Sequence, residues 1–134
     1  MTQAFLIPLA SNADENGSLT VFEEGPVPFA VVRTFVVRAH AGQTRGQHAH
    51  RECTQLLAVL KGEVRVTVVD GIGETVFLLS ESTEGLLIPP MVWATQEYLQ
   101  DDSILLVACD QPFDEADYIR DQHEFASLAK TQGV

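Results

Sequence analysis

The sequence predicts an all-β fold, an antiparallel sandwich or barrel of about seven to ten short strands finished by one helix. Three observations predict it. Apolar and polar residues alternate with period two in "EVRVTVVD", so Val64, Val66 and Val68 face a core while Arg65 and Thr67 face out. Short turn signals separate runs of similar character: "EEGPVP", "LKGE", "DGIGE", "STEG" and "QDD". Helical spacing occurs only near the C-terminus, in "DEADYIRDQHEFASLAK".

Taken in order, "SLTVFEE", "FAVVRTFVVRA", "CTQLLAVLKG", "EVRVTVVD", "ETVFLLS", "EGLLIPP" and "SILLVACD" supply the strands. Lys61-Gly62 followed by Asp70–Gly73 predicts two successive hairpins, an antiparallel meander. Ahead of them, "AFLIPLA" is a strand-forming segment whose edge needs a partner, which predicts a homodimer. The segment 114–130 reads as one terminal helix with Asp114 and Glu115 at its acidic start and Lys130 near its end. Most of it serves as an amphipathic cap, although "DYIRD" within it is a second candidate for function.

At 134 residues with 46% hydrophobic composition, the chain suits one domain, 1–134, with a single core. No segment has the apolar length of a membrane span and the N-terminus lacks a basic signal region, so a soluble, cytoplasmic chain is expected. Cys53 and Cys109 show no CxxC spacing and read as buried, reduced thiols. A net charge of −11 argues against a nucleic-acid partner, which needs a broad basic face. Yet Arg33, Arg38, Arg45 and Arg51 cluster, with no Lys or Arg before Arg33 or between Arg65 and Arg120. Such a cluster either forms one positive pocket for an anionic ligand or merely keeps strand edges soluble.

"RGQHAHRE" brings the chemistry. On a strand, residues i and i+2 share a face, so His48 and His50 project together. Metal ligation, acid–base catalysis and a polar strand entrance all fit that spacing. The metal-binding cupin pattern adds a Glu a few residues later and a His on a later strand. Here Thr54 and Gln55 occupy the first place, and Ala94 follows Trp93 at the second, in "PPMVWATQEY". With both further ligands missing, no metal or other cofactor is expected, and the acid–base role gains, since imidazole titrates near neutrality. Glu52 lies on the opposite pleat and reads as a solvent carboxylate; His40 and His123 stand alone as surface or capping residues.

"RGQHAHRE", "LLAVLKGEVRVTVVDG", "PPMVWATQE" and "DEADYIRDQHEF", in this order and spacing, resemble the dTDP-4-oxo-6-deoxyhexose 3,4-ketoisomerases of the cupin superfamily. The resemblance covers nearly the whole chain, from "NGSLTVFEE" to "YIRD". It implies a jelly-roll barrel, a homodimer with strand exchange near the N-terminus, no metal, and a dTDP-linked 4-oxo-6-deoxyhexose whose ketone moves from C4 to C3 through an enediol. By the same resemblance His48 is the base and His50 orients sugar oxygens or acts as the second acid. Arg45 faces the diphosphate or sugar, with Arg33 or Arg38 completing the anion site. Asn16, Gln55 and Trp93 are carried over as substrate contacts, Trp93 as packing at the barrel mouth. The chain departs from the family at Asn16, where a basic or aromatic residue is common, at "RTFVVRA" in place of a tyrosine-rich strand, and at Ala94 in place of His. Two other classes remain: a non-catalytic cupin that binds a nucleotide sugar, and a metal-dependent cupin enzyme using Gln55 as an unusual ligand.

Overall fold

The alternating runs become strands. The computed structural model describes residues 2–81 and 84–131, so Ser82 and Thr83 of the expected "STEG" turn lie outside the described residues. In chain order the strands are β1 (Phe5–Pro8), β2 (Ala10–Asp14), β3 (Gly17–Val21), β4 (Arg33–Ala39), β5 (Thr44–His50) and β6 (Gln55–Lys61). There follow β7 (Glu63–Val69), β8 (Glu74–Ser80), β9 (Glu84–Ile88), β10 (Trp93–Tyr98) and β11 (Ser103–Cys109). A 3-10 turn (Glu115–Asp117), β12 (Tyr118–Ile119) and helix α1 (Gln122–Thr131) end the chain.

One antiparallel sheet has the order β1-β9-β6-β11-β4 and a second the order β12-β5-β10-β7-β8, while β2 and β3 form a separate hairpin. Their inner faces meet in one core. Leu57, Val59, Leu86, Leu105 and Val107 come from the first sheet, and Val64, Val66, Val68, Leu79, Ala94 and Tyr98 from the second. Val64, Val66 and Val68 are fully buried and Arg65 is exposed, as the alternation requires. Burying each such valine contributes on the order of 1.5–3 kcal/mol. The arrangement is a jelly roll whose two sheets stay open rather than closing into a continuous barrel.

A smaller apolar layer of Leu9, Val27, Leu56, Ala58 and Ala108, with Phe22, Phe29 and Val31, covers the outer face of the first sheet. On the second sheet, Phe125 and Ala129 of α1 pack with Ala49, Trp93 and Ile119.

Three expectations need correction. The described residues hold twelve strands, more than expected, because the N-terminal run divides at Leu9 and Tyr118–Ile119 pairs in a segment that reads as helix. The helix therefore begins only at Gln122, where Asp121 Oδ1 accepts from the backbone N–H of His123 (2.8 Å) and Glu124 (3.0 Å). Ahead of it, Tyr118 and Ile119 pair with His50 and Ala49 of β5, and those ladder bonds outweigh helical propensity. Lys61-Gly62 makes no hairpin: β6 pairs with β9 and β11, β7 with β8 and β10, so this corner carries the chain between sheets. Of the two expected hairpin turns, Asp70–Gly73 does close one, between β7 and β8, with Asp70 Oδ1 accepting from Ile72 and Gly73 N–H. Strand β1 pairs with β9, Phe5 opposite Leu87 and Pro8 opposite Glu84.

The corner at Gly62 has φ of 85°, and a Cβ there would collide with the Ser103 side chain. Gly62→Ala should therefore lower stability by about 1–3 kcal/mol, read as a fall in the urea midpoint at unchanged slope.

Candidate functional site

A β-bulge aims the site. On β10 the inward residues are Ala94, Gln96 and Tyr98; across β5, Ala94 faces His48 and Gln96 faces Arg45, with a register shift between Ala94 and Thr95. Gly46 and Gln47 both have positive φ, 84° and 59°, which inserts one extra residue into β5. Arg45 and His48, three apart in sequence, thereby reach the same inner face. Gly46 is required there because an added Cβ would lie 3.1 Å from the Ala94 carbonyl oxygen.

Beside the bulge opens a cleft of about 530 Å³ between β4 and β5. Its wall includes Arg33, Phe35, Val37, Arg45, Gly46, His48, Gln55, Gln96, Tyr118 and Arg120, with Arg38 at its border. Four of the chain's eight basic residues thus meet in one place, a positive island on an acidic protein. Arg33 stacks on Phe35 (4.7 Å) and Phe113 (5.2 Å), and Arg120 on Tyr118 (4.2 Å). The Arg120 guanidinium also forms a fork with Glu115 at 2.8 and 3.0 Å. Arg38 sits on the outer pleat of β4, alternating with inward Arg33, Phe35 and Val37, so the two arginines do not act from one face.

The two imidazoles meet as the HxH spacing requires, with ring centroids 5.0 Å apart. The Tyr118 ring lies 5.0 Å from His48 and 4.4 Å from His50. His50 Nδ1 and Asp117 Oδ2 are hydrogen-bonded at 2.8 Å, and both side chains are largely buried. Asp117 Oδ1 accepts from the Glu52 N–H at 2.7 Å. His48 Nδ1 and His50 Nε2 are buried without a protein partner. Burial, assisted by His50 and Arg120, pushes the His48 pKa down to about 4. Burial also lowers His50, against the opposing pull of Asp117. Burial works against the Asp117 carboxylate, but hydrogen bonds from His50 and from backbone N–H groups outweigh it and hold its pKa below the ordinary value.

Gln55 is buried and its Nε2 donates to Cys109 Sγ at 3.6 Å. Cys53 and Cys109 are free and buried, and the Cys53 thiol donates to the Thr54 carbonyl at 3.5 Å. His50, Cys53 and Asp117 bring potential metal-ligating atoms within 4.8 Å of one another, but Nδ1 of His50 is engaged with Asp117. At the two remaining cupin ligand positions stand the Gln55 amide and the Ala94 methyl, neither of them an anionic or imidazole donor.

Three sequence expectations lie elsewhere. Trp93 is not in the cleft wall: it packs on Phe125 of α1, 5.7 Å between rings, because odd positions of β10 face outward from the core that Ala94 faces. Asn16 sits in the exposed turn of the β2–β3 hairpin, its N–H bonded to Asp14. Arg51 turns to Glu124 of α1 at 2.8 Å. Conversely, Asp117, Tyr118 and Arg120, all within "DYIRD", and Gln96 belong to the site. The signal for the first three was the motif, masked by its helical reading; nothing in the sequence marked Gln96.

The family model described as "FdtA: WxcM-like, C-terminal" matches residues 2–130. The TDP-4-oxo-6-deoxy-alpha-D-glucose-3,4-oxoisomerase of Aneurinibacillus thermoaerophilus is 33% identical over 114 residues, 84% of this chain and 82% of that protein. A mutant of the 3,4-ketoisomerase QdtA from Thermoanaerobacterium thermosaccharolyticum, solved in complex with TDP-4-keto-6-deoxyglucose, superposes with a TM-score of 0.93. It is 29% identical and covers 98% of this chain and 97% of that one. WlaRB, a TDP-quinovose 3,4-ketoisomerase from Campylobacter jejuni, gives 0.88 at 27% identity, covering 95% and 99%. The chain thus belongs to the FdtA, WxcM-like family, that of the sugar-nucleotide 3,4-ketoisomerases its HxH and "DYIRD" motifs resemble.

Proposed function

We propose that this protein is an isomerase that moves the ketone of a dTDP-4-oxo-6-deoxyhexose from C4 to C3 by proton transfer between the sugar and the His48–His50 pair. The observation that carries the reading is the His50–Asp117 hydrogen bond of 2.8 Å beside an arginine-lined cleft. A C3 proton next to a C4 carbonyl is acidic, and a base that removes it leaves an enediol; return of a proton to C4 leaves the ketone at C3. The arginines suit the diphosphate, Arg33 and Arg45 from the strands and Arg120 from the "DYIRD" segment. The family solves the same problem: QdtA was captured with TDP-4-keto-6-deoxyglucose bound.

Between the two imidazoles, the geometry favours His50 as the base. Asp117 holds the proton on Nδ1 and leaves the Nε2 lone pair free, then stabilises the imidazolium that forms. His48, with no carboxylate hydrogen-bonded to its ring among the described residues and a pKa near 4, suits a neutral group that orients a sugar oxygen. The reverse assignment, implied by the resemblance, draws support from one fact: His48 lines the cleft, whereas His50 is reached past the rings of His48 and Tyr118. Gln55, in the cleft wall, offers a neutral amide suited to a sugar hydroxyl. A homodimer is part of the proposal: a groove of about 540 Å³ between the β2–β3 hairpin and the outer face of the first sheet, with Leu19 60% exposed on the hairpin, suits a second copy.

Three measurements test this. Exchange of the C3 proton for deuterium in heavy water reports enediol formation. Wild-type protein should show it, and His50→Asn should lose about 10²–10⁴-fold in kcat with nucleotide affinity little changed. Exchange that survives in His50→Asn and disappears in His48→Asn would transfer the base to His48, and no exchange in wild type would leave a binding module. Sedimentation at micromolar concentration should give a dimer; a monomer refutes that assignment. The third concerns pH. His48 stays neutral in the folded protein down to about pH 4, whereas an unfolded histidine protonates near 6.5. The unfolded state therefore binds more protons in that window, so stability is full above about pH 6.5 and falls progressively towards pH 4. The urea midpoint should drop between pH 7 and 5, and His48→Asn should flatten that drop.

A further inference from the structure

The reaction places a negative charge on the sugar oxygen at C4, and the cleft must supply a donor for it. The C3–H electron pair becomes the C3=C4 bond while the carbonyl pair moves onto O4; afterwards O4 gains a proton, O3 loses its own, and C4 is protonated. Arg33, Arg45 and Arg120 are assigned above to the diphosphate, and Arg120 is further engaged by Glu115. His48 is assigned above to another sugar oxygen, and His50, tied to Asp117, to the proton itself.

Gln96 is different. It is 8% exposed, sits in the cleft wall, and faces Arg45 across β5. Its Oε1 accepts from the hydroxyl of Tyr98 at 2.8 Å, and Tyr98 is fully buried, so the amide has one orientation. With Oε1 taken, Nε2 is the end left to the cleft. The bulge holds the group in place from the other side, since a Cβ on Gly46 would touch the Gln96 amide carbon at 3.6 Å. Gln55 is set the opposite way: Nε2 is spent on Cys109, and Oε1 remains as an acceptor suited to a hydroxyl.

We infer that Gln96 donates through Nε2 to the enediolate oxygen, and that Tyr98 is the residue that positions it. This rests on the ketoisomerase reading above. A buried, preoriented neutral donor acts most strongly where charge develops, because it needs no reorganisation during the reaction. Burial raises the Tyr98 pKa to about 12, so the phenol keeps the proton it donates.

The test compares variants by C3 proton exchange and steady-state kinetics on a dTDP-4-oxo-6-deoxyhexose. Gln96→Glu keeps an acceptor for Tyr98 and removes the donor; Gln96→Met is neutral and similar in length, so the test survives if the buried charge prevents folding. Both should lose on the order of 10²–10³-fold in kcat with little change in KM. Tyr98→Phe should lose up to about tenfold in kcat, and nothing further in the Gln96→Met background, which a merely structural tyrosine would not obey. Wild-type kcat in Gln96→Met, or a loss confined to KM, overturns the inference while leaving the isomerase reading intact. Absence of exchange in wild-type protein overturns both.

Discussion

Asp117 holds the site together. One carboxylate oxygen takes the His50 ring and the other the Glu52 N–H, while the Asp117 carbonyl accepts from the Arg51 N–H at 2.9 Å. These bonds clamp the turn after β5 onto the segment before α1. With that segment fixed, Tyr118 and Ile119 add a two-residue strand to β5, opposite His50 and Ala49. The same contact thus orients an imidazole, lays Tyr118 against both histidine rings, and carries Arg120 to the cleft. Ile119, on the other pleat, joins Phe125 and Trp93 to seat the helix. Loss of this carboxylate would therefore disturb catalysis and docking of the C-terminal segment together, since a removed partner leaves buried polar groups unpaired.

The sheets were legible in the sequence because their signal is local. Val64, Val66 and Val68 alternate over a few residues, and burial of one face follows from the pleat. Connectivity was less so: Lys61-Gly62 has the composition of a hairpin turn, but the partners of β6 and β7 are chosen by strands distant in the chain. The terminal helix was half legible. Acidic residues and mixed apolar spacing from Asp114 fit a helix, yet pairing with β5 pulled Tyr118–Ile119 into a strand.

At the site, the HxH pair was visible because i and i+2 share a face. The bulge at Gly46–Gln47 was not: it re-aims Arg45 by one residue, and no spacing rule reveals that. Trp93 illustrates the limit from the other side, since its neighbour Ala94 faces the core and the pleat necessarily sends Trp93 to the helix. Gln96 and Tyr98 acquire meaning only once the fold places them on the inner face beside the bulge.

The electrostatics of the cleft join binding to chemistry. The −11 charge of the chain is spread over its surface, while four arginines border the cleft. Those guanidinium groups also act on the imidazoles: Arg120 lowers the basicity of His48, and Arg33 and Arg120 lower that of His50. An anion bound across the same arginines offsets their field. On the function proposed above, a diphosphate in the cleft would raise the proton affinity of both histidines, and by reciprocity their protonation would strengthen its binding. Burial first, and these guanidinium groups after it, hold both imidazoles less basic than a free histidine. Groups suited to charge recognition at one end of the cleft therefore also help to set the basicity of the groups suited to proton transfer at the other.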